Sequence, residues 1–236
     1  MPVCVECGYT LEGSETLYTE YSPTNIRLTR CDKCKNVADK YIEYELILVY
    51  IDLILHNTEA YRHLFFNRPP FCAATLSDSR LIMLSCLFVN FLVKSVVLHN
   101  SEGNGNSSHS VIFVTCVVEH VAFIASIYIA LWKSYIPSMH TALFNKFCRK
   151  LYLSLAFPEI GKLFAILLQT WDSESILLLF VGMLVISIQY HAYHTVCNQQ
   201  TTRNLFVVFV CGLFVKIFVR IILHSDEEVK LLGVLL

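Results

Sequence analysis

The residues of this chain best equipped for chemistry are Cys4-x-x-Cys7 and Cys31-x-x-Cys34. A Cys-x-x-Cys turn aims two thiolates at one point in space. Two such turns supply the four sulfurs of a closed tetrahedral zinc site. Two disulfides or a redox pair are the other uses of four clustered thiols. Gly8, directly after Cys7, suits a tight knuckle whose backbone amides face the sulfurs. Between the pairs, residues 16–21 and 25–30 have strand-like composition, and they flank the turn signal Ser22-Pro23-Thr24. The expectation is a zinc ribbon over residues 1–36, built on one β-hairpin. Its metal folds a segment too small to hold a core alone, so the role is structural.

The rest of the chain must position this head. Of its 236 residues, 55% are hydrophobic and only 16% charged, and the mean hydropathy is +0.54. A water-soluble domain needs more charge than that to cover its surface. The formal net charge of -1 gives no reason to expect a nucleic-acid partner. The other six of the ten cysteines (Cys72, Cys86, Cys116, Cys148, Cys197 and Cys211) are scattered, mostly through apolar runs, as small hydrophobes. Residues 2–30 are polar and hold the cysteine pairs, so no cleavable signal peptide is expected. The N-terminus then begins in the reducing cytosol, which favours zinc over disulfides.

Residues 69–236 read as a transmembrane bundle. Apolar runs at 81–98, 111–132, 151–171, 176–196 and 205–223 each approach the roughly 20 residues that cross a bilayer core as helix. Pro158, Glu159 and Lys162 interrupt the third run, which also fits a re-entrant or interfacial segment. With the N-terminus cytosolic, Lys133, Lys146, Arg149, Lys150 and Arg203 fall on the cytosolic side. Residues 99–110, Asp172-Ser173-Glu174 and Asp226-Glu227-Glu228 fall opposite. That asymmetry matches five spans and the positive-inside rule better than four. Asn106-Ser107-Ser108 is a glycosylation sequon on the expected lumenal side.

Between ribbon and bundle, residues 37–68 lack Gly and Pro and are expected to form an amphipathic interfacial helix, with a possible break near Asn57-Thr58. Glu45, Asp52, His56, Glu59 and His63 make one narrow polar stripe on an otherwise apolar circumference. Its carboxylate–histidine pairs fit either a metal or acid–base site or plain ion pairing along one wet face. Arg62 and Arg68 are within reach of lipid phosphate in that setting.

Several charges fall inside the expected spans: Lys94, Glu119, His120, Lys162, Lys216 and Arg220. Charge at membrane depth is costly and normally faces a partner or a cavity. A cluster in which Glu119 neutralises Lys94 or Lys216 is geometrically open. It serves either as a contact for a lipid headgroup or sterol hydroxyl, or as an inter-helix pair. The candidate lipid-contact residues are therefore Glu119, Lys94, Lys216 and Arg62. His191-x-x-His194 reads as interfacial rather than metal-binding.

The four cysteines are followed by Asp39-Lys40-Tyr41-Ile42-Glu43-Tyr44, Ile51-Asp52-Leu53-Ile54-Leu55 and Ala60-Tyr61-Arg62-His63-Leu64-Phe65-Phe66-Asn67. Over residues 1–68 this resembles the homology domain of the Arv family, the ACAT-related proteins required for viability. The resemblance implies an endoplasmic-reticulum membrane protein of sterol and sphingolipid homeostasis. It also implies sterol transport between membranes, support of early glycosylphosphatidylinositol-anchor synthesis, and a zinc motif at the four cysteines. Three functions follow: a non-enzymatic lipid carrier, a scaffold that assembles a membrane glycosyltransferase complex, or an enzyme. The third has least support. The chain has no Gly-x-Ser-x-Gly elbow and no phosphate-cradling glycine loop, and His140-x-x-x-x-Asn145 lacks the carboxylate an acyltransferase-like pair requires.

Overall fold

The structure is a computed structural model that describes residues 2–11, 17–22, 25–68, 76–101, 109–135, 141–169, 175–197 and 205–223. The chain is mainly α-helical and divides into two units, Met1–Asp78 and Ser79–Leu236.

In the first unit the expected hairpin is present. Strand β1 (Tyr18–Ser22) pairs antiparallel with β2 (Asn25–Leu28), with Tyr18 opposite Leu28 and Glu20 opposite Ile26. Pro23 and Thr24 of the expected turn lie outside the described residues. The stretch expected as a helix with a break near Asn57-Thr58 is helical and is broken there. A 3₁₀ turn at Lys40–Ile42 precedes α1 (Leu46–Ile54), α2 (Thr58–Arg62) and a π-helical turn at His63–Asn67. Two residues cause the break between α1 and α2. His56 has φ 61°, outside the helical range, and the Asn57 side chain accepts from the Glu59 amide at 3.2 Å, so Asn57 caps a new helix. Helix α1 buries only Val49 and Leu53, while Leu46, Ile47, Leu48, Tyr50, Ile51 and Ile54 are exposed. A helix that turns most of its apolar side chains outward suits a bilayer interface better than water.

The second unit is a bundle of α3 (Leu76–Ser101), α4 (His109–Tyr135), α5 (Thr141–Ala156), α6 (Leu163–Gln169), α7 (Ser175–Cys197) and α8 (Leu205–Leu223). Among the described residues, three stretches are long and apolar enough to cross a membrane: Ser110–Trp132, Asn145–Leu168 and Leu205–Ile222. The expected runs 81–98 and 176–196 fall within α3 and α7. The interrupted third run is α5, a 3₁₀ turn at Phe157–Lys162, then α6. Pro158 opens that turn, because its nitrogen has no hydrogen to continue the α-helical ladder. The sequon at Asn106 and the acidic segment at 226–228 lie outside the described residues.

The bundle core is aromatic and aliphatic: Phe123, Ile127 and Leu131 of α4, Leu151 and Leu155 of α5, Tyr193 of α7 and Phe209 of α8 are buried together. Outward faces are equally apolar. Phe113, Val121 and Ile129 of α4 and Phe206, Phe214 and Phe218 of α8 are all exposed. Such an inside-and-outside apolar bundle is soluble only in hydrocarbon, and the chain is a helical membrane protein.

Helices α4 and α8 approach closely at Gly212, where a Cβ atom would lie 3.0 Å from Ile127 Cγ1 and 3.2 Å from Phe123 Cε2. Small residues allow such contact in membranes, where van der Waals packing drives association. Gly212→Leu is expected to cost about 1–3 kcal/mol by overpacking, and Gly212→Ala markedly less. Thermal unfolding of the two variants in detergent checks the order; equal melting temperatures would refute the close approach.

Candidate functional site

Two loops of the first unit carry the cysteines, and they share a backbone design. The Cys4 amide donates to Tyr9 O at 2.8 Å and the Cys31 amide to Asn36 O at 2.8 Å. Gly8 N donates to Cys4 O at 3.0 Å and Lys35 N to Cys31 O at 2.9 Å. The residue after each second cysteine is left-handed, Gly8 at φ 72° and Lys35 at φ 64°, which is how each knuckle turns back on itself. Bridges Val3–Thr10 and Arg30–Val37 close the two loops. The Val5 amide donates to Ala38 O at 2.9 Å and so ties one loop to the other.

The four sulfurs converge. Cys4 Sγ is 3.7 Å from Cys34 Sγ, and Cys7 Sγ is 3.6 Å from Cys31 Sγ. All four lie within 4.8 Å of one another. A disulfide requires about 2.05 Å, and all four cysteines are free. By contrast, four sulfurs about 2.3 Å from a common centre stand about 3.8 Å apart along a tetrahedron's edges. Burial, partly offset by the amides of Cys7 and Glu6, pushes the Cys4 thiol up to about 12. Burial also raises Cys31, but the amides of Cys34 and Lys33 outweigh it and bring that thiol down to about 7. A buried thiol as reluctant as Cys4 ionises when a metal cation supplies the compensating charge. The four cysteines can hold a metal ion. Among the described residues no other group of three or more His, Cys, Asp or Glu side chains converges in this way.

Behind the sulfurs is a layer that spacing alone did not reveal. Arg62 Nη1 donates to Val5 O at 2.7 Å and Glu6 O at 2.6 Å. A Cβ on Gly8 would lie 3.7 Å from its guanidinium. Arg62, expected beside lipid phosphate, is thus committed to the first knuckle. Asp39, fully buried, gathers the helical segment against the ribbon. Its carboxylate accepts from Tyr41 N at 3.0 Å, from Asn67 Nδ2 at 2.7 Å and pairs with His63 Nδ1 at 2.8 Å. Asn67 also grips the Val3 backbone at both N and O, each at 2.8 Å. The polar stripe therefore divides among separate partners rather than forming one site. Asp52 accepts from Tyr41 Oη at 2.7 Å, Glu59 pairs with Lys40 at 2.5 Å, and His63 belongs to Asp39. Close contact with Glu59 raises the Lys40 ammonium pKa against the opposing effect of burial.

Arg62→Ala should loosen the metal without removing a ligand. Losing partners behind metal ligands typically costs about 10–100-fold in affinity. Competition with a chromogenic chelator measures the shift; an unchanged metal affinity would show that Arg62 does not shape the knuckle.

The second unit has its own polar centre. Lys94 of α3 forms the expected ion pair with Glu119 of α4, Nζ to Oε2 2.7 Å, without the angles of a hydrogen bond. Arg220 of α8 approaches Glu119 Oε1 at 3.8 Å. Lys216 does not reach Glu119. It bonds Glu159 Oε1 at 2.9 Å, while Lys162 bonds Glu159 Oε2 at 2.9 Å and Asn90 Oδ1 at 2.9 Å. Gln189 of α7 donates to Leu155 O and points its amide at Glu159. Asn90, Lys94, Glu119, His120, Glu159 and Lys216 line a cavity of about 10 Å³, room for about one water-sized atom. His120 Nε2 and Glu119 Oε1 are buried there with no hydrogen-bond partner among the described residues. Glu159 and Lys162, first read as flaws in an apolar run, turn out to be the hub. Their spacing, Glu-x-x-Lys after a proline inside a hydrophobic stretch, was the available signal. His191 and His194 pack instead around Tyr190, with ring centroids 5.7 and 5.9 Å away.

Comparison with known proteins gives one consistent answer. The model of the Arv1-like family matches residues 3–193. Protein ARV 2 of Arabidopsis thaliana is 29% identical over 207 residues, covering 88% of this chain and 89% of that one. Protein arv1 homolog of Dictyostelium discoideum is 27% identical over 246 residues, covering 98% of each. Protein arv1 of Schizosaccharomyces pombe reaches 48% over 66 residues, 27% of this chain and 24% of its own. No solved structure matches.

Proposed function

Because this chain belongs to the Arv1-like family, we propose that it acts in membrane-lipid homeostasis at the endoplasmic reticulum, distributing sterol between membranes and supporting glycosylphosphatidylinositol-anchor synthesis. It does so as a carrier rather than an enzyme, with its N-terminal unit in the cytosol. Zinc at Cys4, Cys7, Cys31 and Cys34 is the natural metal for four thiolates at tetrahedral spacing. Its role is structural, since four sulfurs close the coordination sphere and leave no position for a substrate.

One observation carries the lipid reading: a charged, water-sized cavity at the centre of a bundle whose inner and outer faces are otherwise apolar. An amphiphile has two ends, and both find a match there. Polar groups held at membrane depth are costly unless they serve a partner. A photoactivatable sterol in microsomes tests the proposal, with the labelled peptides mapped. Saturable labelling of the bundle is the expected result. No labelling, together with co-purification of glycosyltransferase subunits, would replace the carrier with a scaffold for a membrane enzyme complex.

A further inference from the structure

Among the described residues, the polar centre of the bundle holds more cations than carboxylates. Glu119 faces both Lys94 and Arg220, and Glu159 faces both Lys162 and Lys216, so each carboxylate is shared by two cations. Lys94, Glu119, Glu159 and Lys162 are all buried, with side chains no more than 6% exposed. Each buried charge adds a desolvation penalty, and two cations on one carboxylate repel each other while they divide its attraction. The surplus is positive. It sits beside a cavity that accepts one atom of about the size of oxygen, and the buried His120 Nε2 has no hydrogen-bond partner among the described residues.

The cations are also graded in depth. Lys94 and Lys162 are enclosed, whereas the side chains of Lys216 and Arg220, one turn apart on α8, are 21% and 12% exposed. Arg220 is the less satisfied of the two: its distance to Glu119 is 3.8 Å, too long for a hydrogen bond. Its guanidinium therefore presents a donor fork of the geometry that suits phosphate oxygens. Outside it, α8 is flanked by exposed Phe214, Phe218, Ile221 and Ile222, a surface for acyl chains.

We infer that this centre is a phosphate site for an anionic phospholipid: one headgroup oxygen enters the cavity, and Lys216 and Arg220 hold the phosphate at its rim. The inference rests on the lipid-handling proposal and narrows it. A sterol hydroxyl is neutral and gains less from positive charge than a phosphate does.

The test uses the full chain in phosphatidylcholine nanodiscs with a photoactivatable phosphatidic acid as probe. Lys216→Gln combined with Arg220→Gln should reduce its labelling by at least roughly tenfold. Glu119→Gln should raise it, because the carboxylate that competes for Lys94 and Arg220 is gone. A collapsed bundle would lower both, so opposite signs are the signature of charge. A fall in both variants, labelling indifferent to both, or equal labelling by an uncharged diacylglycerol probe would overturn the inference. Displacement of the probe by millimolar inorganic phosphate would overturn the lipid as the source of the anion. Labelling by a photoactivatable sterol alone would overturn this site and leave the lipid-handling proposal standing, whereas labelling by neither probe would overturn both.

Discussion

Cys31→Ser is expected to strip the N-terminal unit of its metal and unfold it. The hydrophobic cluster behind the ribbon is small: Cys4, Leu11, Cys31 and Ala38 are its buried members, and two of those four are proposed ligands. Among the described residues of 2–38, only Val3 and Val5 are buried besides these, too little to fold a chain of this length unaided. Structural zinc in comparable small domains contributes roughly 10–16 kcal/mol near neutral pH, most of it as folding energy. Three thiolates seldom hold a closed tetrahedral site. Metal analysis should therefore fall from one zinc per chain towards none, and limited proteolysis should cut the ribbon that the parent protects. Damage should extend past the hairpin, since Asn67 and Arg62 are fastened to the backbone of Val3, Val5 and Glu6. Equal metal content in variant and parent would defeat the assignment.

The second large effect is expected in the bundle. Glu159→Ala removes the carboxylate to which Lys162 and Lys216 both bond. Breaking a buried ion pair by removing one partner costs about 3–5 kcal/mol, because the other charge is left uncompensated. Here two ammonium groups are stranded, one of them with a side chain only 3% exposed. The variant should melt well below the parent in detergent. Removing both sides is the diagnostic step: Glu159→Ala with Lys162→Met should recover part of the loss, since the deepest stranded charge is then gone too. If the double variant is no better than the single one, Glu159 stabilises the bundle by some means other than its charge.

Much of this was legible in the residues. Two Cys-x-x-Cys turns define their own geometry, because a two-residue spacer leaves few ways for both sulfurs to share a centre, and the structure brings them together. The long apolar runs announced helices, since a chain in hydrocarbon has to satisfy its backbone internally. The rule that a charge at depth seeks its opposite pointed Glu119 to Lys94 or Lys216, and the structure pairs it with Lys94. The break near Asn57 was legible too, because Asn caps a helix more favourably than it propagates one. Other features have causes that lie outside any local window. Arg62 is held by the carbonyls of Val5 and Glu6, far from it along the chain. The role of Asp39 could not be read locally, as its side-chain partners His63 and Asn67 are 24 and 28 residues away.

What the sequence determined by itself is the division of solvents: a polar, sulfur-rich head and a body that only a bilayer accepts. Composition and spacing are enough for that, because burial of apolar surface and thiolate chemistry depend on residue type more than on neighbours. Tertiary structure alone decided which charges meet. Lys216 reaches Glu159 rather than Glu119, and Lys162, Asn90 and Gln189 join them from three different elements. Coulomb energies in a medium of low dielectric depend steeply on separation, and separations between helices are set by packing, not by order along the chain.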